Sequence, residues 1–450
     1  MTFTEGVVGQ PSSFLPIRAV TDTDKTISRL LYRGLFKYDN FGTLVPDLAE
    51  TWAISDEGLV YTITIRANQY WSDGSRIDAN DLLYTAYKSS NLSGIATDRI
   101  DERTVRYTLP NRFSPFLSLM TLGVMKNGSA EAPHSFYAPT SGPFRVASVK
   151  KKGDLIKRVV LMGDETSNIK QIAFRFYPNI RDVITAYKMG EIHAFLSPEL
   201  LEPKALAGME LYQYPIQSVY YGLFFNLRRE GIKELGLRQS LAKTLDVHSI
   251  IGNYGIPVEG PISRSIYTNE LYKTASYDSK VVADLSDQAL DLEVVNTPAL
   301  VEIAKMVKQE WEAKTGAEVS IYKHSQEDIR QKVIETRDFD ILLYGQEVAR
   351  DPDRYVNWHS TQANAPGLNL TGFENVRADR ALEEGRKALE QEDRQRHYDE
   401  FQRIIDEQTP AIFLHHPFMN YYVSNRVKGI GTKYTFTMRD RFLDFNNWSF

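Results

Sequence analysis

Residues 292–344 read LEVVNTPALVEIAKMVKQEWEAKTGAEVSIYKHSQEDIRQKVIETRDFDILLY. Residues 292–295 are mostly apolar and predict a strand. Thr297 stands where a helix N-cap would. Pro298 follows at the first helical position, where a missing N–H costs nothing. Leu300, Ala304, Val307 and Trp311 recur on one helical face, and Gly316 can end the helix. Residues 319–322 predict a second strand, 327–335 a second helix and 339–343 a third strand. The order β-α-β-α-β implies an α/β fold with a mainly parallel sheet and right-handed crossovers.

Downstream, residues 379–390 and 393–408 predict two charged helices, and 412–414 and 421–423 two short strands. Upstream, residues 220–227 form an apolar run suited to a strand buried on both faces. Residues 143–177 read as strands. Residues 181–189 read as a helix closed by Gly190.

Residues 30–84 carry dense turn punctuation. Gly34 can end a helix marked by Ile27, Leu30 and Leu31. Asp39, Asn40 and Gly42 make a turn. Residues 51–54 and 59–65 predict a hairpin, with Tyr61, Ile63 and Ile65 on its buried face. Trp71 precedes a turn at Ser72-Asp73-Gly74. Asp78 and Asp81 have capping-box spacing for a helix through Tyr87.

The chain has 450 residues, too many for one ordinary core. A net charge of −5 leaves no basic excess for neutralising phosphates, which argues against nucleic acid as a partner. No apolar run approaches the roughly 20 residues that span a bilayer. With no cysteine, disulfides, thiolate nucleophiles and cysteine metal sites are all absent. The N-terminus has neither the basic start nor the apolar core of a signal peptide.

Candidates for chemistry are few. His415 and His416 are neighbours, and on a strand they point to opposite faces, so the expectation is one packed and one exposed ring. His397 with Glu400 has helical spacing but lies in a run that reads as a solvated face. No glycine-rich phosphate loop follows a strand and no GxSxG elbow occurs. Asp351 and Asp353 flank a proline as turn formers. The expectation is a protein that is not an enzyme, with no metal and no cofactor. The 25 tyrosines suit a cleft that accepts varied ligands.

Leu35-Phe36-Lys37-Tyr38, then Leu44-Val45-Pro46-Asp47-Leu48-Ala49-Glu50 with Trp52, then Trp71-Ser72-Asp73-Gly74, occur in this order. Asp101-Glu102-Arg103-Thr104-Val105, Ser141-Gly142-Pro143-Phe144, and Asp351-Pro352-Asp353 with Trp358-His359-Ser360 follow. The series closely resembles the family 5 extracellular solute-binding proteins, the oligopeptide, dipeptide and nickel class of ABC-transporter receptors.

The resemblance implies a two-lobed periplasmic-binding-protein-like fold (type II, cluster C) with an inserted domain. Lobe I would comprise residues 1–44, 143–224 and 426–450, the inserted domain 45–142, and lobe II 225–425. It implies an extracytoplasmic receptor that captures a peptide-like solute by hinge closure and delivers it to permease subunits. An oligosaccharide or metal–chelator receptor is the alternative, and a secreted hydrolase a more distant one. Export implies a mature or trimmed chain with Met1 as an added or misplaced start, and a possible lipid anchor upstream. A monomer is expected.

The resemblance also implies the ligand-binding residues: Thr21, Asp22 and Thr23 near the N-terminus; Tyr220 and Tyr221 before the apolar strand; Asn296; Tyr344, Gly345, Gln346, Glu347 and Val348 after the third strand; and Asp351, Trp358 and His359. Gly345 would admit a ligand backbone. Many relatives carry an aspartate for the ligand's ammonium at the position of Val348. Here Glu347 stands beside it, and a local bulge would be needed to turn it inward. No basic residue occupies residues 292–295, where dipeptide-type relatives hold the ligand's carboxylate.

Overall fold

The computed structural model describes residues 2–131, 136–164, 168–202, 206–262, 277–278, 283–431 and 434–450. They form two compact units, one of Met1–Tyr214 with Met419–Phe450 and one of Pro215–Phe418.

In the first unit, strand Thr2–Val8 lies parallel to both Gln171–Tyr177 and Ala194–Ser197. Leu155–Gly163 and Phe144–Lys152 extend this sheet antiparallel. On the far side, Ala194–Ser197 pairs antiparallel with residues 420–423. Glu5 and Arg441 form an ion pair at 2.6 Å inside this unit, both almost fully buried, and the Tyr421 hydroxyl donates to Glu5 at 2.9 Å.

A separate antiparallel sheet orders Ala49–Ser55, Val60–Ile65, Thr104–Thr108 and Ala96–Arg99. The expected hairpin is there, and Tyr61, Ile63 and Ile65 are its buried residues. Its loop turns through Asp56, Glu57 and Gly58, all at positive φ. The capping box of Asp78 and Asp81 forms at helix Ala79–Lys88, and Trp71 Nε1 donates to Asp81 at 2.9 Å. Helix Asp22–Leu31 ends on Tyr32 rather than on Gly34. Gly34 is needed for a different reason: a Cβ there would stand 2.7 Å from the Phe36 carbonyl oxygen and 2.9 Å from that of Met120.

The second unit is built on the β-α-β-α-β run. Strands stand in the order Glu318–His324, Ala289–Val295, Ile341–Glu347, Val219–Phe225, and then the first part of Ala411–Ser424. The first three are parallel and Val219–Phe225 is antiparallel to the third. Helix Pro298–Thr315 buries Leu300, Ala304, Val307 and Trp311. Trp311 Nε1 donates to the Leu241 carbonyl at 3.0 Å. Gly316 takes the left-handed conformation after its last turn.

Four expectations are corrected here. Thr297 occupies the N-cap position, but its side chain makes no capping bond. The second helix begins at Gln326–Asp328 and then widens into a π-helical stretch, Ile329–Ile334. The third strand continues to Glu347, so residues 344–347 lie within it. The two short strands near the C-terminus are one continuous strand, Ala411–Ser424, through Pro417.

Candidate functional site

In parallel α/β sheets, ligands collect beyond the carboxyl ends of the strands, where side chains and free backbone converge. In the second unit that edge holds Asn296, just past Ala289–Val295, and residues 344–347 of the neighbouring strand. The last registered pair between these strands is Val294↔Leu343. Asn296 and Gly345 each lie two residues beyond it.

Side chains alternate along a strand, so Gly345 and Glu347 share one face while Tyr344 and Gln346 share the other. The ladder to Val219–Phe225 is regular from Val219↔Glu347 to Phe225↔Ile341. The bulge expected at Glu347 is therefore absent. The register shift lies one strand over, between Tyr221 and Gly222 against Ala411–Ser424.

On the first face, Gly345 leaves room for Tyr221. A Cβ at Gly345 would stand 2.8 Å from Tyr221 Cε1 and 3.2 Å from Val219 Cγ1. The Tyr221 ring in turn stacks on His415, with centroids 5.1 Å apart and planes at 17°. Glu347 is exposed, and its carboxylate takes no hydrogen bond or ion pair from a described residue. Asn296 is exposed too, anchored through its N–H to the His324 carbonyl at 2.8 Å.

The opposite face is internally satisfied. Tyr220 is fully buried; its hydroxyl donates to the Gln346 side-chain oxygen and accepts from Trp358 Nε1 at 3.1 Å. Gln346 passes the chain on to the Leu368 carbonyl at 2.8 Å. Tyr220, Gln346 and Trp358 thus spend their polar groups on one another. Tyr344 is half-buried. Burial raises its phenol, the Glu347 charge adds to that rise, and a hydrogen bond with Gln326 opposes it. Val348 is buried, its N–H donating to the Ser218 carbonyl at 2.9 Å.

Asp351 is committed as well. Both its oxygens face the Arg394 guanidinium, at 2.9 and 2.5 Å, and both side chains are buried. Asp351 and Asp353 also accept from the backbone two residues on, as turn formers do. Arg354, buried beneath them, donates to the carbonyls of Pro261, Ala349, Asp351 and Asp353. His359 stacks on Tyr355 at 4.0 Å, and the Arg386 guanidinium also lies 4.0 Å over the Tyr355 ring.

His415 and His416 correct the expectation of one packed and one exposed ring: both are buried. Burial lowers both to about 4, so they are neutral at physiological pH. His416 bonds through Nδ1 to the Val219 carbonyl at 2.7 Å, whereas the buried Nδ1 of His415 has no partner. Among the described residues no three His, Asp or Glu side chains cluster as a metal site would require.

Thr21, Asp22 and Thr23 belong to the first unit. Thr21 caps helix Asp22–Leu31 by accepting from the Asp24 N–H, while Asp22 itself is exposed. Sequence reasoning missed Arg394 and Arg354, and it did not place His415 against Tyr221. An arginine in a charged helix and a histidine in an apolar strand carry no local sign of their partners.

Residues 43–367 match the family described as "Bacterial extracellular solute-binding proteins, family 5 Middle". The chain belongs to this family. Among curated relatives, the probable D,D-dipeptide-binding periplasmic protein DdpA of Escherichia coli is 23% identical, with 94% of this chain and 90% of that protein covered. The oligopeptide-binding protein AppA of Bacillus subtilis is 21% identical, covering 94% and 88%. Among solved structures, the ABC transporter substrate-binding protein CtaP of Listeria monocytogenes superposes with a TM-score of 0.83 at 21% identity, covering 100% of this chain and 99% of that one. NikZ of Campylobacter jejuni, in complex with Ni(L-His), gives 0.76 at 22%, with the same coverage. This family 5 protein therefore has the substrate-binding-protein fold that its sequence words imply, and it is a solute-binding receptor.

Proposed function

We propose that this receptor captures a peptide-like solute outside the cytoplasm and delivers it, chemically unchanged, to the permease of an ABC importer. The observation that carries the reading is the family match over residues 43–367. The names of the relatives support peptides as the solute class, since DdpA and AppA are described as peptide-binding.

Within the second unit, the groups proposed to meet the solute are Tyr221, Asn296, Tyr344, Gly345 and Glu347. They border the carboxyl edge of the parallel strands, and none is locked into a buried polar network. Tyr220, Gln346, Trp358, Asp351 and His359 are proposed to act as the frame beneath these groups, because their polar atoms are already paired, those of His359 with Thr361 Oγ1 at 2.9 Å and Glu383 Oε1 at 3.3 Å.

The test is calorimetric titration with defined di-, tri- and longer peptides, followed by mass analysis of the recovered ligand. Saturable binding with the peptide recovered intact supports the receptor reading. Cleaved peptide would instead mark a hydrolase. Binding only of a sugar or a chelated metal would reassign the solute.

A further inference from the structure

In the first unit, strands Phe144–Lys152 and Leu155–Gly163 form a hairpin at one end of the sheet. Between Arg145 and Arg158 it carries six basic residues and one acidic residue, Asp154, in a chain whose net charge is −5. Among the described residues none of the six is ion-paired with a carboxylate. Residues 150–155 are all exposed. Lys151 lies 5.5 Å over the Phe136 ring, which leaves its charge unneutralised.

The register sorts these side chains. Lys150 stands opposite Arg158, and Lys152 stands opposite Leu155. Cross-strand partners share a face, and Lys150 and Lys152 are two residues apart, so these four side chains lie on one face. Arg158 is opposite Arg175 on its other side, which makes a row of three cations across three strands. Among the described residues only Arg175 has a carboxylate, Glu191 at 2.7 Å. Like charges directly opposite each other destabilise a sheet, so the fold carries this row against its own stability.

Lysines on an edge strand also block unwanted strand pairing. That accounts for charge on Phe144–Lys152, the last strand of its sheet. It does not account for Arg158, which has strand partners on both sides. Nor does it account for Leu155, an apolar side chain 50% exposed beside the turn at Gly153 and Asp154.

We propose that this face is a membrane-contact surface: Lys150, Lys152 and Arg158 meet the phosphates of anionic lipids, and Leu155 enters the headgroup layer at the hairpin tip. Attraction of basic side chains to anionic lipid and burial of apolar ones are the two effects that hold peripheral proteins on a bilayer. A receptor that delivers to a permease works beside a bilayer, and for that setting the proposal rests on the function proposed above. Vesicle binding needs neither solute nor permease, so its failure leaves the receptor reading standing.

The probes are vesicles of phosphatidylglycerol mixed equally with phosphatidylcholine, and vesicles of phosphatidylcholine alone, sedimented with the full chain. At about 0.1 M salt the mixed vesicles should bind at least 10-fold more tightly, and near 1 M salt the difference should vanish as charges are screened. Replacing three exposed residues together, Lys150→Gln, Lys151→Gln and Lys152→Gln, should weaken binding to the mixed vesicles about 10-fold or more. Circular dichroism checks the fold of the variant, and the wild-type comparison stands even if the variant fails to fold. The chain has no cysteine, so Leu155→Cys accepts a single environment-sensitive fluorophore. Its emission should shift to the blue on the mixed vesicles and not on the neutral ones. Equal binding to both vesicles, or binding to neither, would overturn the proposal. So would binding that survives the triple substitution, or a label at position 155 that stays in water while the protein is bound. Binding to soluble polyglutamate as tight as that to the mixed vesicles would mark an acidic protein as the partner and equally overturn it.

Discussion

Tyr221 and Gly345 face each other across the antiparallel pair of central strands, and the aromatic ring occupies the space a side chain at 345 would need. The glycine thus serves the sheet before it serves any solute. Gly345→Ala would push the Tyr221 ring off His415. Overpacking of this kind costs about 1–3 kcal/mol. If Tyr221 contacts the solute, peptide affinity should also fall roughly 10-fold, about 1.4 kcal/mol. Urea denaturation and calorimetry of the same sample check the two effects separately. A stability loss with unchanged affinity would remove Tyr221 and Gly345 from the solute-facing set.

Asp351 gives the opposite expectation. Its pairing with buried Arg394 means that Asp351→Ala strands a guanidinium in the interior, which costs about 3–5 kcal/mol. Affinity of the folded fraction for peptide should be nearly unchanged. A variant with normal stability but lost binding would show that Asp351 contacts the solute directly.

The acid response follows from His415 and His416. Both are held near 4 in the folded chain, against 6.5 for a free ring. Above pH 6.5 both states are neutral and the rings contribute no pH dependence. Between about pH 6.5 and 4 the unfolded chain takes up protons that the folded chain refuses, so stability falls as pH falls. Below about 4 the loss levels off. The loss reaches up to about 3 kcal/mol per ring. His415→Phe keeps a ring against Tyr221 and removes one titration. Its stability should therefore fall less than that of the wild type between pH 7 and 4.5. Parallel pH profiles for the two proteins would contradict this assignment.

Much of the scaffold was legible because its signals are local. Capping spacing at Asp78 and Asp81, alternation at Tyr61, Ile63 and Ile65, and helical spacing at Leu300, Ala304, Val307 and Trp311 each act within a few residues. The candidate site was less so. That Tyr220 points into the buried polar network while Tyr221 points to the proposed solute-facing side depends on the register with Ile341–Glu347. The pairing of Asp351 with Arg394, 43 positions away, likewise arises only once the chain has folded. The missing bulge at Glu347 has the same origin: strand regularity is set by the partner strand.

Glu347 remains the exposed carboxylate on the proposed binding face. If it meets the ammonium of a peptide, Glu347→Gln should weaken a free-amine peptide about 10-fold and its N-acetylated form much less. Calorimetry with both peptides on both proteins forms a complete cycle. Equal losses, or none, would show that Glu347 does not hold the amine.

The central claim is that this family 5 protein is a receptor that keeps its solute intact. Native mass spectrometry of the freshly purified protein reads this directly. The expected result is a bound species in the mass range of a short peptide, released unchanged on denaturation and replaced on adding peptide. Added peptide that is never retained but appears as cleavage products would contradict the account.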